Sequence, residues 1–426
     1  MVLPLGSSST AVWGGVWETF LGLLGSMRVA SPNNMRSWSE IWPQEEEERL
    51  FDAKERFFGK EEAEVILWRD SAGWCPFCFA TVLLLEEMRV AYAVKTIPLR
   101  AYARPGETKD PAYLKMVPDG VVPGLQHRGK DGTFEPAFRN AYAIFRDLRE
   151  SFPERYPLGD ATKHDAIVSM DGIAGQLERA QYRRDPETVR KPLEALNDLI
   201  SGPWVCGEEF SAADCFLLPF LERIEAYTMY FHGKKTLETL NWYPKMATLL
   251  ETARSRCDTY RDFGGDAHSL AHIVLKFHPD LPISDDAKTI DTPDKNRITK
   301  IDAKIAALKL AKNHQKVTAF AARTAGFVTD DSKKNDDDLF FENCLEDALL
   351  CVANGLLDTP TSFDYSPAAK NLLTKNSRCL PKVAHALRAL SLNVGVPRDF
   401  APGPANALRA HLSGLSDALF QQVLSQ

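Results

Sequence analysis

The chain has 426 residues, 44% of them apolar and 26% charged, a composition that excludes a disordered or fibrous protein. At about 150 residues per domain, this length suggests roughly three domains. Fifty-eight acidic against fifty-one basic side chains leave a net charge of −7, so the positive field that a phosphate backbone requires is missing and nucleic acid is not an expected partner.

No run of eighteen uncharged apolar residues occurs, so no membrane-spanning helix is expected. The most apolar segment near the start, Ala11 to Gly25, contains Glu18 and is preceded by no Lys or Arg; the first basic residue is Arg28. It lacks the charged region that opens a secretory signal and reads as an apolar arm, with a nonstandard plastid address left open. Residues 1–60 read as an extension, including the acid run Glu45 to Glu48.

Elements of regular spacing begin at Glu64. Val65-Ile66-Leu67-Trp68 is a short β-prone run, and Asp70-Ser71-Ala72-Gly73 is turn-like. A helix with Val82, Leu83, Leu84, Leu85 and Met88 follows, then a second strand from Ala91 to Ile97. After Asp110-Pro111 comes a short helix around Tyr113 to Met116, then Val121 to His127. Pro123 there argues against a central strand unless it begins the strand or lies at its edge. Gly129 to Gly132 turns the chain into Thr133-Phe134, and a helix is expected from about Asn140 to Arg149. Strand, helix, strand, then helix, strand, strand, helix is the order of a thioredoxin-like domain over 61–150.

From 151 to 278 the pattern is helical throughout, with Ser211-Ala212-Ala213-Asp214 opening one helix as a capping box that carries Asp for the usual Glu. Residues 279–296, rich in Pro, Asp and Thr, read as a linker. Helical spacing resumes with Ile298, Ile301, Ile305 and Leu308, defining a further module over 297–426 that carries a charged loop, Asp330 to Asp338. The fold class is therefore α+β: a thioredoxin-like domain, an all-α domain and an additional α-helical module.

Of eight cysteines, only Cys75-Pro76-Phe77-Cys78 has chemical spacing. Cys75 falls where a loop meets a helix start, with Pro76 at the first helical position, where a missing N–H costs nothing. Unpaired amides and the positive end of the helix dipole then face the Cys75 sulfur, a field that favours thiolate, and Cys78 lies one turn later on the same face. The pair is also half of a zinc site, but no second such pair follows at suitable spacing. His268 and His272 are i and i+4 near Asp266, again metal-ligand spacing, but no third ligand is evident, and no metal is expected. In the thioredoxin-like fold a proline before the third strand would be cis. Val122 would then expose its N–H and C=O, an edge on which an extended peptide can add a short strand; an ordinary turn proline is the alternative.

Trp74-Cys75-Pro76-Phe77-Cys78, Val117-Pro118-Asp119-Gly120-Val121-Val122-Pro123 and Ser211-x-x-Asp214 together resemble soluble glutathione transferases of the cysteine type. Arg69 to Pro76, Leu84-Glu86-Glu87, Pro219-Glu222-Arg223, Thr259-Tyr260-Arg261 and Val396-Pro397-Arg398-Asp399 resemble the plant and algal iota group, which appends a helical region. The resemblance implies that glutathione is a co-substrate held by the thioredoxin-like domain, that Cys75 is the nucleophile with Cys78 as its partner, and that mixed disulfides are reduced in preference to conjugation. Conjugation, or a scaffold that kept the fold, are the alternatives. By position, Val122 and Pro123 would meet the glutathione backbone, Phe77 would border it, and Lys115 would meet its glycine carboxylate. Tyr227, Tyr230 and Phe231 would wall the second-substrate pocket, with core packing the competing role.

One departure stands out. The family usually places an acid and a serine at the start of the helix after the fourth strand, whereas this chain has Asn140 and Ala141. Losing a charged contact costs about 1.5–3 kcal/mol, so weak glutathione binding or another thiol is implied, and Glu135 would substitute only in a different register. A small-molecule or glutathionylated thiol is the expected second partner. The resemblance leaves a homodimer open, and the expected compartment is cytoplasmic, with plastid as the alternative.

Overall fold

The structure, a computed structural model, describes residues 35–42, 55–99, 108–129, 131–134, 138–181, 185–328, 334–358, 364–376 and 378–425. The apolar arm from Ala11 to Gly25, the acid run Glu45 to Glu48, Glu135 and the first part of the charged loop after Asp330 lie outside these residues. The chain forms two compact units, one of residues 54–291 with 395–401, the other of residues 1–53, 292–394 and 402–426.

The first unit opens with β1 (Glu55–Arg56), β2 (Val65–Asp70), α1 (Pro76–Glu87), β3 (Tyr92–Ile97), α2 (Pro111–Met116), β4 (Gly124–His127), β5 (Phe138–Arg139) and α3 (Ala141–Ser151). The sheet order is β1-β3-β2-β4-β5, with β2 parallel to β3 and the other neighbours antiparallel. As the central strand, β2 is buried along nearly its whole length, which explains its continuous apolar run in place of alternation. Helix α1 is apolar almost all round because it packs into the main core and against a buried helix of the helical part. Pro123 lies just outside β4, an interior strand between β2 and β5, where it removes no ladder hydrogen bond, and the Val122–Pro123 bond is cis. At Gly124 the chain passes so close to Tyr113 that a Cβ would lie 2.8 Å from its hydroxyl oxygen.

The helical part comprises α4 (Ala161–Ile167), α5 (Ile173–Gln181), α6 (Arg190–Leu199), α7 (Ala212–Tyr227), α8 (Lys234–Thr239), α9 (Pro244–Arg256), α10 (Asp258–Phe263), α11 (Ala267–Phe277) and α12 (Ala287–Asp291). The capping box opens α7 as expected: the Asp214 carboxylate accepts from the Ser211 N–H, the Ser211 hydroxyl and the Val205 N–H. A π-helical turn, Thr228–His232, ends α7.

The second unit holds α13 (Lys300–Thr324), α14 (Asp336–Asp358), α15 (Ser366–Asn376), α16 (Leu380–Asn393) and α17 (Pro402–Leu424), and α17 packs against each of the other four. Its alanine- and leucine-rich faces are fully buried.

Five details differ from the sequence reading. Glu55–Arg56, assigned to the extension, pairs with Tyr92 and Ala93 as an edge strand, because backbone pairing needs no side-chain alternation. Residues 35–42 also leave the extension: the Arg36 N–H donates to Asn354 Oδ1, and Ile41 is fully buried in the second unit. The presumed linker contains α12, whose Ala287 is buried and whose Asp291 is held by three side chains. Asp336–Asp338 are the first turn of α14, where acidic groups suit the helix dipole and Asn335 and Asp338 cap each other. Thr133-Phe134 contributes a single bridge, Arg128 to Phe134, and the fourth expected strand is Phe138–Arg139.

Candidate functional site

Cys75 is the N-cap of α1, with extended backbone (φ −75°, ψ 119°) and Pro76 at the first helical position. The Cys78 N–H donates to the Cys75 sulfur at 3.5 Å, and the Cys75 thiol reaches the Val122 carbonyl at 3.8 Å. Strand end, helix start and cis-proline loop therefore converge on one sulfur, itself half-buried. Cys78 is different. It is buried, and its thiol is pushed well up, first by burial and then by its hydrogen bond to Cys75 and the charges of Cys75 and Asp70.

The loop before Cys75 is fixed by a nearby carboxylate and by groups far away in sequence. The Trp74 N–H donates to Asp70 Oδ2 at 2.7 Å, and the Trp74 indole donates to the Val396 carbonyl at 2.8 Å. Its carbonyl accepts from Arg223 Nη2 at 2.6 Å, and the Arg398 guanidinium lies over its ring at 5.0 Å. Gly73 has φ +75°, and a Cβ there would stand 2.8 Å from the Pro397 ring. The Val396 N–H is in turn held by Ser269 Oγ at 2.8 Å. Arg223 is buried on α7; it also donates to the Pro219 carbonyl at 2.6 Å and pairs with Glu222, which accepts from the Tyr260 hydroxyl at 2.9 Å.

Trp74, Arg223 and Val396 to Asp399 carry the resemblance in the sequence, but nothing in their spacing shows their part in holding Cys75. A signal existed for one of them: Glu222-Arg223 is a charged pair inside the apolar run Phe216 to Ile224. A charge there requires a partner.

The remaining expected residues are distributed unevenly. Val122 and Pro123 adjoin Cys75; Val122 is only 9% exposed, so the expected open edge is largely covered on this residue, while Val121 is exposed. The Tyr113 hydroxyl donates to the Val121 carbonyl, and burial pushes this phenol well up, with Cys78, Asp119 and Cys75 adding to the effect. Phe77 turns inward, edge-on to Phe220 at 5.2 Å and close to Tyr142 and Phe216. Lys115 is exposed on α2. Asn140, at φ +61°, uses its amide oxygen to accept from the Ala143 N–H at 2.9 Å, and Ala141 is fully buried. Beside Asn140, Arg139 pairs with Asp119 at 2.7 Å; both are exposed.

Tyr227, Tyr230 and Phe231 are all buried in one apolar cluster with Ala72, Trp74 and α11. The packing role thus holds for all three, although Tyr227 and Phe231 also border a small cleft with Ala180, Val189, Ile224 and Val274. A separate cleft lies at the opposite end of β2 and β4, among Lys60, Glu62, Glu64, His127, Arg128 and Phe152, and does not include Cys75. Asp70, Cys75 and Cys78 bring ligand atoms within 4.8 Å of one another, so a soft divalent metal could compete for the thiols there.

Residues 74–145 match the glutathione S-transferase N-terminal domain, and residues 179–263 match the glutathione S-transferase C-terminal domain. The chain is 28% identical over 178 residues to probable glutathione S-transferase DHAR1, cytosolic, of Oryza sativa subsp. japonica, covering 40% of this chain and 76% of that protein. It is 28% identical over 189 residues to glutathione S-transferase DHAR3, chloroplastic, of Arabidopsis thaliana, covering 43% and 67% respectively. Glutathione transferase Omega 1C from Trametes versicolor aligns with a TM-score of 0.41 at 19% identity over 52% of this chain and 99% of that one. The two domain matches and the plant relatives support a glutathione transferase with a thioredoxin-like N-terminal domain and a helical C-terminal domain, carrying further helices.

Proposed function

We propose that this chain acts as a glutathione transferase of the cysteine type, a thiol transferase with Cys75 as its nucleophile and glutathione as its co-substrate. The observation that carries the reading is the convergence on Cys75 Sγ of the Cys78 N–H and the Val122 carbonyl beside a cis proline. The Cys75 thiolate attacks the glutathionyl sulfur of a mixed disulfide; the substrate thiolate leaves and takes a proton. Glutathione then attacks the Cys75-bound sulfur, giving glutathione disulfide and the free thiolate. Cys78 is a poor second nucleophile, because its sulfur is buried and its thiol is held protonated. Its backbone N–H does the useful work.

Glutathione would lie along Val121–Pro123, with a small-molecule or glutathionylated thiol beside it. The finer assignment, to the plant and algal iota group, draws support from the 395–401 segment that braces Trp74. A homodimer in the cytoplasm or a plastid is compatible with this reading. Among the described residues no helix is long and apolar enough to cross a membrane.

A second reading, a binding protein that kept the fold, is favoured by Asn140 and Ala141: the amide oxygen already caps α3, and no hydroxyl replaces the missing serine. Turnover of a glutathionylated peptide by the wild type and by Cys78→Ser separates these readings. Both proteins are expected to turn over within about threefold of each other, since exchange needs one sulfur. Loss of turnover in Cys78→Ser alone would restore the dithiol route. No turnover by either, with no heat on adding millimolar glutathione, would favour the binding protein.

A further inference from the structure

We propose that His268, His272 and Asp291 form a binding site for a zinc-type divalent metal ion, oriented by Tyr230 and independent of Cys75 chemistry. The sequence offered two histidines and no third ligand; the fold supplies it. His268 and His272 share one face of α11, with ring centroids 4.3 Å apart. Asp291, the last residue of α12, sits opposite them. Its Oδ1 lies 2.7 Å from His268 Nδ1 and 3.1 Å from His272 Nε2. The Tyr230 hydroxyl, from the π-helical turn, donates to Asp291 Oδ2 at 2.7 Å and lies 3.3 Å from His272 Nε2.

Neighbouring donors around tetrahedral zinc, with bonds of about 2.0–2.1 Å, stand about 3.3 Å apart. The Asp291–histidine separations of 2.7 and 3.1 Å fall slightly inside that value, as shared protons would draw them, and outward movement of roughly half an ångström makes room for an ion. Two imidazoles and one carboxylate suit Zn²⁺, Co²⁺ or Ni²⁺ over Mg²⁺ or Ca²⁺, which prefer all-oxygen sets. His268 is 4% exposed, and His272 and Asp291 are about a quarter exposed, so an ion can enter from one side. Water would complete the set, and Tyr230, through Asp291 Oδ2, is a positioning residue of the kind that fixes a ligand's orientation. Bound there, the ion would tie α11 to α12. Ser269 on the same helix holds Val396, so the clamp also steadies the loop that braces Trp74.

The test is titration of the metal-free full-length chain with Co²⁺, in a Cys75→Ser, Cys78→Ser background so that the thiols cannot compete. One equivalent is expected to give visible d–d bands without thiolate charge-transfer absorption, and Zn²⁺ should displace it. His272→Gln, a change at a partly exposed position, should weaken binding at least about 100-fold with unchanged far-ultraviolet circular dichroism, and Tyr230→Phe should weaken it about 10–100-fold. Absence of the bands, or equal Co²⁺ affinity in His272→Gln and its parent, would overturn the site. Should His272→Gln fold poorly, Asp291→Asn provides the same comparison.

Discussion

Cys75→Ser is expected to lower turnover of a glutathionylated peptide by about 1,000-fold or more, equivalent to about 4 kcal/mol of transition-state stabilisation. The substitution is well suited to the purpose because it changes the chemistry and spares the fold. Serine is among the best N-cap residues, so its oxygen can take over the Cys78 N–H that the sulfur now accepts. The hydroxyl, however, is not ionised near neutrality and forms no exchangeable bond to sulfur. The thermal midpoint should therefore stay within about 2 °C of wild type while turnover collapses. Retained turnover would move the nucleophile elsewhere. If activity toward an aryl halide is kept or gained, conjugation becomes the function and Cys75 a bystander.

Arg223→Met should give the largest loss of stability. The guanidinium is buried, holds the carbonyls of Trp74 and Pro219, and faces the buried carboxylate of Glu222. Removing one member of a buried pair leaves the other uncompensated and typically costs about 3–5 kcal/mol. For a unit of this size that lowers the melting temperature by on the order of 10 °C. The loss should also depend on pH. Burial pushes the Glu222 carboxyl above its ordinary 4.5, while Arg223, Tyr260 and the Gly265 N–H act in the opposite direction. A carboxyl raised in the folded state contributes its stability fully below its unfolded pKa and loses it as pH rises through the folded value. Without Arg223 that folded value rises further, so the deficit of the variant should be smaller near pH 4.5 than near about pH 7.5. Adding Glu222→Gln should recover part of it at the higher pH. A melting temperature unchanged at both pH values would show that the pair does not brace Trp74.

What could be read from the sequence divides along a physical line. β2, α1 and Cys75 at the helix start follow from short-range rules: a central apolar run, a proline at the first helical position and a sulfur one residue before it. The Asp214 cap is local in the same sense. What escaped depends on distance along the chain. Trp74 is held by Val396, 322 residues away, and nothing in the spacing of either residue announces the other. Asp291 lies in a segment whose Pro, Asp and Thr content reads as a linker, so the histidine pair lacked a third ligand until α12 folded back onto α11. Tyr227, Tyr230 and Phe231 show the limit of transferred positions: each sits on the expected helix or its π-turn, yet burial makes all three part of the apolar cluster around Trp74. Asn140 stands out in the sequence as a departure, but its use as a helix cap depends on a backbone angle that spacing does not reveal.

The central claim is that Cys75 carries glutathione, and intact-mass analysis after treatment with oxidised glutathione, followed by peptide mapping, tests it most directly. Two other half-buried cysteines, Cys206 and Cys257, are the internal controls, and burial pushes the Cys257 thiol up to about 11. We expect one adduct of about 305 Da, the mass of glutathione less the two hydrogens lost in forming the disulfide, on the peptide containing Cys75, released by fresh glutathione. An unmodified Cys75, or an adduct carried by Cys206 or Cys257 in its place, would contradict the account.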